Sequence, residues 1–167
     1  MIDAIRLLLF PALMAFAASS DLFSMTISNK VSLALAGGFL VLGLVIGMGP
    51  RDMGMHAAAG AAVLVVAFVF FTRGWIGGGD AKLAAAASLW FGFDYLLQFL
   101  VDAALLGGVL TLLMINFRLL PLPGVLARCA WIARLHEKGA GVPYGIALAA
   151  AALLVYPDTI WMKPAGG

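Results

Sequence analysis

The chain has 167 residues, of which 64% are hydrophobic and only 11% charged, with a mean hydropathy of +1.09. So little polar surface cannot cover a soluble globule of this size, and a formal net charge of +2 gives no electrostatic footprint for nucleic acid. The single cysteine, Cys129, excludes an internal disulfide and a cysteine zinc cluster, and His56 and His136 add no metal-ligand grouping, so no metal or cofactor is expected.

A spanning helix needs about 20 apolar residues, so six crossings come near the maximum for this length and fill one domain over residues 1–167. The first predicted helix, roughly residues 5–20, is free of charge from Leu7 to Ser20 and contains Pro11, a kink signal. Its small-residue end, Ala15 to Ser20, also resembles a signal-peptide cleavage region, but with a lone Arg6 as basic flank and a polytopic remainder, a retained helix is favoured. A polar connector, Asp21 to Lys30, offers Ser, Thr and Asn as caps for a second helix over 31–49, which closes on Gly49-Pro50-Arg51-Asp52. The third helix covers 55–72, with His56 as a boundary residue. After Trp75-Ile76-Gly77-Gly78-Gly79-Asp80-Ala81-Lys82 come a fourth over 80–93, a turn at Gly92-Phe93-Asp94, a fifth over 95–117 interrupted by Asp102, and a sixth over 142–157. The expected fold is an all-α polytopic membrane bundle.

The long connector, residues 118–141, carries Pro121, Pro123 and Gly124, then Val125, Cys129, Ile132 and Leu135 at helical spacing among Arg128, Arg134 and Lys138. Two readings stay open: a helix lying in the membrane interface, and a solvated connector with some helix.

Basic residues orient the chain. With six crossings, the odd connectors hold Lys30, Arg73, Lys82, Arg118, Arg128, Arg134 and Lys138, whereas the termini and even connectors hold Arg6, Arg51 and Lys163. The positive-inside rule then puts both termini outside and Asp21 and Asp80 together on the cytoplasmic face. Segment lengths single out the same two acids. The charge-free runs Leu7–Ser20 and Leu83–Phe93 are too short to span, so either the flanking acids are drawn toward the membrane, the helices extend past them, or the bilayer thins. Carboxylates at such depth pair or face a water-filled cavity.

Two close carboxyls share one proton, so that one activates water while the other protonates a departing amide nitrogen, which is aspartic protease chemistry. In that scheme Gly77, Gly78 and Gly79 permit unusual backbone angles and let an extended substrate approach, and a helix starting near Asp80 aims its dipole at the carboxylate. The competing reading makes the glycines a loop and Asp80 an N-cap. A phosphate cradle is not supported, since no Gly-Lys-Ser/Thr follows a strand. Lys82 reads first as a positive flank and second as a working group; Asp102 reads first as a residue bonded within the bundle.

The combination Gly77-x-Gly79-Asp80-x-Lys82 at the mouth of a short helix, Asp21 followed by Ile27-x-Asn29, and Val142-Pro143-Tyr144-Gly145 opening the last helix resembles the type IV prepilin leader peptidases, polytopic proteases of the GxGD type. The resemblance implies Asp21 and Asp80 as the catalytic pair, Gly77, Gly79, Lys82 and Asn29 as candidate substrate contacts, and cleavage on the cytoplasmic side of the inner membrane. It further implies a prepilin with a hydrophobic N-terminal helix as substrate, membrane lipid and pilus-assembly machinery as partners, and no nucleic acid. With no room for the larger members' cysteine-bearing cytoplasmic domain, the chain looks like the short form of Flp-type, tight-adherence systems, with peptidase but no methylase activity expected. Ser28 stands where the family often has proline. The rival readings are a small transporter or channel, a non-catalytic assembly scaffold, and a GxGD protease with another substrate, such as a membrane-anchored signal peptide.

Overall fold

The computed structural model describes residues 2–162, so Lys163 of the charge count lies outside the described residues. Among these, α1 (Ile2–Ser24), α2 (Asn29–Val45), α3 (Pro50–Thr72), α4 (Gly78–Leu119), α5 (Gly124–Ala127), α6 (Ala130–His136) and α7 (Tyr144–Val155) follow one another, and a 3-10 turn at Tyr156–Asp158 closes α7. Three helical stretches, Ala4–Ser24, Pro50–Thr72 and Gly78–Leu119, are long and apolar enough to cross a membrane, and Asn29–Val45 and Tyr144–Asp158 are shorter apolar helices. The all-helical expectation holds.

The boundaries differ from the expected ones where local chemistry extends a helix. The first helix does not stop before Asp21: α1 continues to Ser24 and carries Asp21 in its last turn. Ser24 Oγ donates to the Ser20 carbonyl at 2.6 Å and meets Thr26 Oγ1 at 2.8 Å, and Ser20 Oγ donates to the Thr26 carbonyl at 2.8 Å. These short polar side chains satisfy the last carbonyls and hold the exit turn, where Met25 takes a left-handed φ of 55°. Ser28 then caps α2, accepting from the Lys30 amide, which is what serine offers in place of proline. The third helix starts at Pro50 rather than 55, because proline suits the first helical position and Asp52 complements the helix dipole.

α4 is two arms. At Gly92 the backbone leaves the helix (φ 58°, ψ −168°). In a straight helix Asp80 and Ala104 would sit about 36 Å apart at 1.5 Å per residue. Instead Asp80 and Ala84 line the same cleft as Leu100, Ala103 and Ala104, and the Phe91 and Phe99 rings lie 4.9 Å apart, so the chain reverses on itself. The expected turn at Gly92–Asp94 is there, compressed to one residue. The reversal orphans the last carbonyls of the first arm, and distant side chains take them up. His56 Nδ1 lies 2.7 Å from the Leu89 carbonyl, which sets the tautomer as a donor there, and Trp161 Nε1 donates to the Trp90 carbonyl at 2.7 Å. His56 is therefore a capping residue rather than a mere boundary.

The first arm is the hub. It packs against α2, α3, the second arm and α7 through Ala81, Ala84, Ala85, Ala86 and Ala87, all buried. Small side chains let helix backbones approach closely, which in hydrocarbon replaces the hydrophobic drive between helices. At the reversal end an aromatic cluster fills the interior. Phe10 stacks on Tyr156 at 4.6 Å, and Trp90 sits between them and Trp161. Each polar handle finds a carbonyl, Trp90 Nε1 that of Leu35 and the Tyr156 hydroxyl that of Arg6. At the opposite end of the hub, where it begins, a cavity opens beside Gly77, Gly78, Gly79 and Asp80.

Candidate active site

Asp21 is 5% exposed, and its Oδ2 accepts the backbone N–H of Gly145 at 2.8 Å. The reason lies in how α7 begins. Its N-cap is Pro143, which has no side-chain cap bond, so the N–H of the second helical residue, Gly145, needs an acceptor from elsewhere. The carboxyl of Asp21 supplies it from 124 positions away, acting as a cap in trans at the positive end of α7. A Cβ at position 145 would lie 2.9 Å from Asp21 Oδ2 and 2.8 Å from Ile27 Cδ1, so any other residue there forces one of these side chains to shift.

Asp80 is built in the same way on a different helix. Gly77 is the N-cap of α4, and Asp80 occupies its first turn, three residues on. The carboxyl folds back so that the Gly77 N–H interacts with it, and a Cβ on Gly77 would stand 2.9 Å from Oδ2. Asp80 is thus a reciprocal partner of the cap rather than the N-cap itself. Its other oxygen, Oδ1, is buried with no hydrogen-bond partner among the described residues. Such an atom is costly in an apolar interior unless something else binds it.

The glycines work differently from expectation. None of Gly77, Gly78 and Gly79 has a positive φ, so unusual backbone angles are not their contribution. They serve close approach: positions 77, 78 and 79 are pressed by Asp80, Phe71 and Ile27, the last two at 3.2 and 3.1 Å from a would-be Cβ. With Asp21, Met25, Thr26, Ile27 and Asp80, the three glycines enclose a cavity of about 230 Å³ into which both acids open. Asp80 also forms part of a second, largely apolar cleft of about 470 Å³ between α3, the second arm of α4 and α7.

The other expected contacts lie elsewhere. Lys82 Nζ donates to Asn29 Oδ1 at 2.9 Å, and the two residues head a third groove, which contains neither acid. Asp102, half-buried on the second arm, lines neither cavity that contains Asp80. The basic connector forms two short helices, broken at Arg128 and Cys129, rather than one. Val125 and Cys129 are exposed, while Leu135 is buried. It folds over the end of α1: Arg134 donates to the Phe23 carbonyl at 2.9 Å, Trp131 meets Phe23 edge-on, and Arg118 holds the carbonyls of Leu135 and Gly141. A basic side chain on a last-turn carbonyl is a favourable C-terminal cap, and this one steadies the turn that carries Asp21.

Gly145 as the partner of Asp21 was not legible as such. The Pro-Tyr-Gly opening of a helix without a side-chain cap was the available signal, since its orphan N–H calls for an acceptor.

Fold and site together define a helical membrane protein with two acids held at helix N-termini over a shared cavity. A match to the type IV leader peptidase family extends over residues 8–112, well over half of the chain, and includes both Asp21 and Asp80. The chain belongs to that family and is a membrane protease of the prepilin peptidase kind. Comparison with curated proteins and with solved structures finds no match.

Proposed function

We propose that this protein is an aspartic endopeptidase of the inner membrane that removes the short basic leader of Flp-type prepilins at the cytoplasmic face, without methylating the product. The observation that carries the reading is the convergence of Asp21 and Asp80 on one small cavity, each from the N-terminal turn of a helix or pressed against one. Water in that cavity is activated by one carboxylate, which takes its proton as the oxygen attacks the scissile carbonyl. The other carboxyl gives its proton to the amide nitrogen as the C–N bond breaks, and the free acid and amine leave with the site's proton count restored. Asp80 Oδ1, buried and unengaged among the described residues, is the atom best suited to meet a bound water or peptide. Gly77 and Gly79 keep the approach to the pair narrow but free of side chains.

The charge asymmetry of the connectors supports the cytoplasmic address, with six traverses and both termini outside. Membrane lipid and the pilus-assembly machinery are the proposed surroundings. The test is co-expression with a Flp-type prepilin and a gel-shift readout of leader removal. Asp21→Asn and Asp80→Asn are each expected to slow processing by roughly 10²–10⁴-fold, the usual contribution of a positioned acid or base. Normal processing by either variant would remove the aspartic mechanism.

A further inference from the structure

Two grooves run along opposite faces of the first arm of α4. Successive helical residues are about 100° apart, so Asp80 and Lys82 point about 200° from each other around the axis. Asp80 and Ala84 face the cleft of about 470 Å³; Lys82, Ala85, Ala86 and Leu89, at helical spacing, face the groove of about 540 Å³ headed by the Lys82–Asn29 pair. The Lys82 groove is the larger, but a peptide seated there would have the whole helix between its backbone and the carboxyl.

We infer that the apolar segment of the substrate lies in the cleft between α3 and the second arm of α4, with its leader end at Asp80, and that the Lys82 groove takes no part in substrate binding. The cleft is continuous with the reacting group, because Asp80 is itself part of its wall. Its floor is buried Val63, Ala67 and Ala103, small or branched side chains that leave room for another helix, and its rims, Val66 at 53%, Phe70 at 40% and Leu100 at 38% exposure, open toward lipid. A substrate already anchored by an apolar helix reaches such an opening by moving sideways within the bilayer, without exposing that helix to water. Along α4 the apolar wall ends at Asp80, where the smaller cavity with the second acid begins. The order of environments, apolar and then acidic, matches a peptide whose apolar segment follows the bond to be cut. This assignment rests on the proposed peptidase reading.

The experiment places a photo-crosslinking amino acid at Leu100 or Ala104 in the cleft, or at Leu33 or Leu64 in the Lys82 groove, in the full chain in membranes with a prepilin that the parent protein cleaves. Adducts with prepilin are expected from Leu100 and Ala104 and not from Leu33 or Leu64. In parallel, Ala104→Trp is expected to raise KM about tenfold or more with kcat little changed, and Ala61→Trp, in the Lys82 groove, to leave both near the parent's values. Adducts from Leu33 or Leu64 alone, or a KM effect confined to Ala61→Trp, would overturn the cleft assignment while leaving the peptidase reading intact. Failure of the parent to cleave any prepilin would overturn both.

Discussion

Asp21 owes its position to an atom that Gly145 lacks. The 2.8 Å bond from the Gly145 N–H fixes one carboxylate oxygen, and any side chain at that position occupies its space. Gly145→Ala sets a Cβ against both Asp21 Oδ2 and Ile27 Cδ1, so two consequences must be separated. Overpacking of this kind costs about 1–3 kcal/mol, visible as lowered thermal stability in detergent. Displacement of the carboxyl by about 1 Å costs roughly 100-fold in turnover, seen in kcat rather than KM. Ile27→Val in the same chain relieves the contact with Ile27 but not the one with Asp21. The double variant is therefore expected to regain stability and remain slow. Recovery of full turnover by the double variant would show that Gly145 matters only for packing. Residues such as this explain why the site was half-legible: two acids stand out in an apolar sequence, but the amide that holds one of them comes from 124 positions away and carries no side chain to betray it.

At the scale of elements, Asp80 is carried by the hairpin made by the two arms of α4. Its apex is Gly92, whose φ of 58° with ψ of −168° is a region that L-residues with a Cβ scarcely enter, and a Cβ there would lie 2.9 Å from the His56 ring. Gly92→Ala is expected to cost about 1–3 kcal/mol from backbone strain alone, plus the collision. His56→Ala strips the donor from the part-buried Leu89 carbonyl, at about 1 kcal/mol, but it also opens space for the new Cβ. Thermal unfolding of the two single variants and the double should therefore give a double-variant loss smaller than the sum of the singles. An additive result would mean that the two positions are not in contact. The hairpin itself was legible, because a Gly-Phe-Asp break divides two apolar runs. The end of α1 was not: charge at Asp21 reads as a boundary, yet Ser20 and Ser24 carry the helix one turn beyond it. Of the two readings the connector left open, one continuous helix is not what forms; a connector with some helix is. Helical spacing continues across Arg128 and Cys129, but arginine bonds to the carbonyls of Leu135, Gly141 and Phe23 fold the segment back and break it into two.

For the whole molecule the chain carries its own reporter of which way the bundle faces. Cys129 is its one cysteine and is exposed, at the break between α5 and α6. That segment is tied to the acid end of the bundle through Arg134 and Trp131 on Phe23, two residues from Asp21. Whatever side labels Cys129 is therefore the side on which the acids open. Seven of the ten basic residues lie in or beside the turns and connector segments expected on that side, and a cytoplasmic excess of lysine and arginine is what orients multi-pass proteins. A membrane-impermeant maleimide should accordingly leave Cys129 unmodified in intact spheroplasts and modify it in inside-out vesicles, with Cys129→Ser as the blank. The measurement needs no substrate and no engineered cysteine, so it tests orientation apart from activity. Modification from the outer face would reverse the bundle and put Asp21 and Asp80 on the far side from newly made prepilin, a placement incompatible with cleavage of the leader before export.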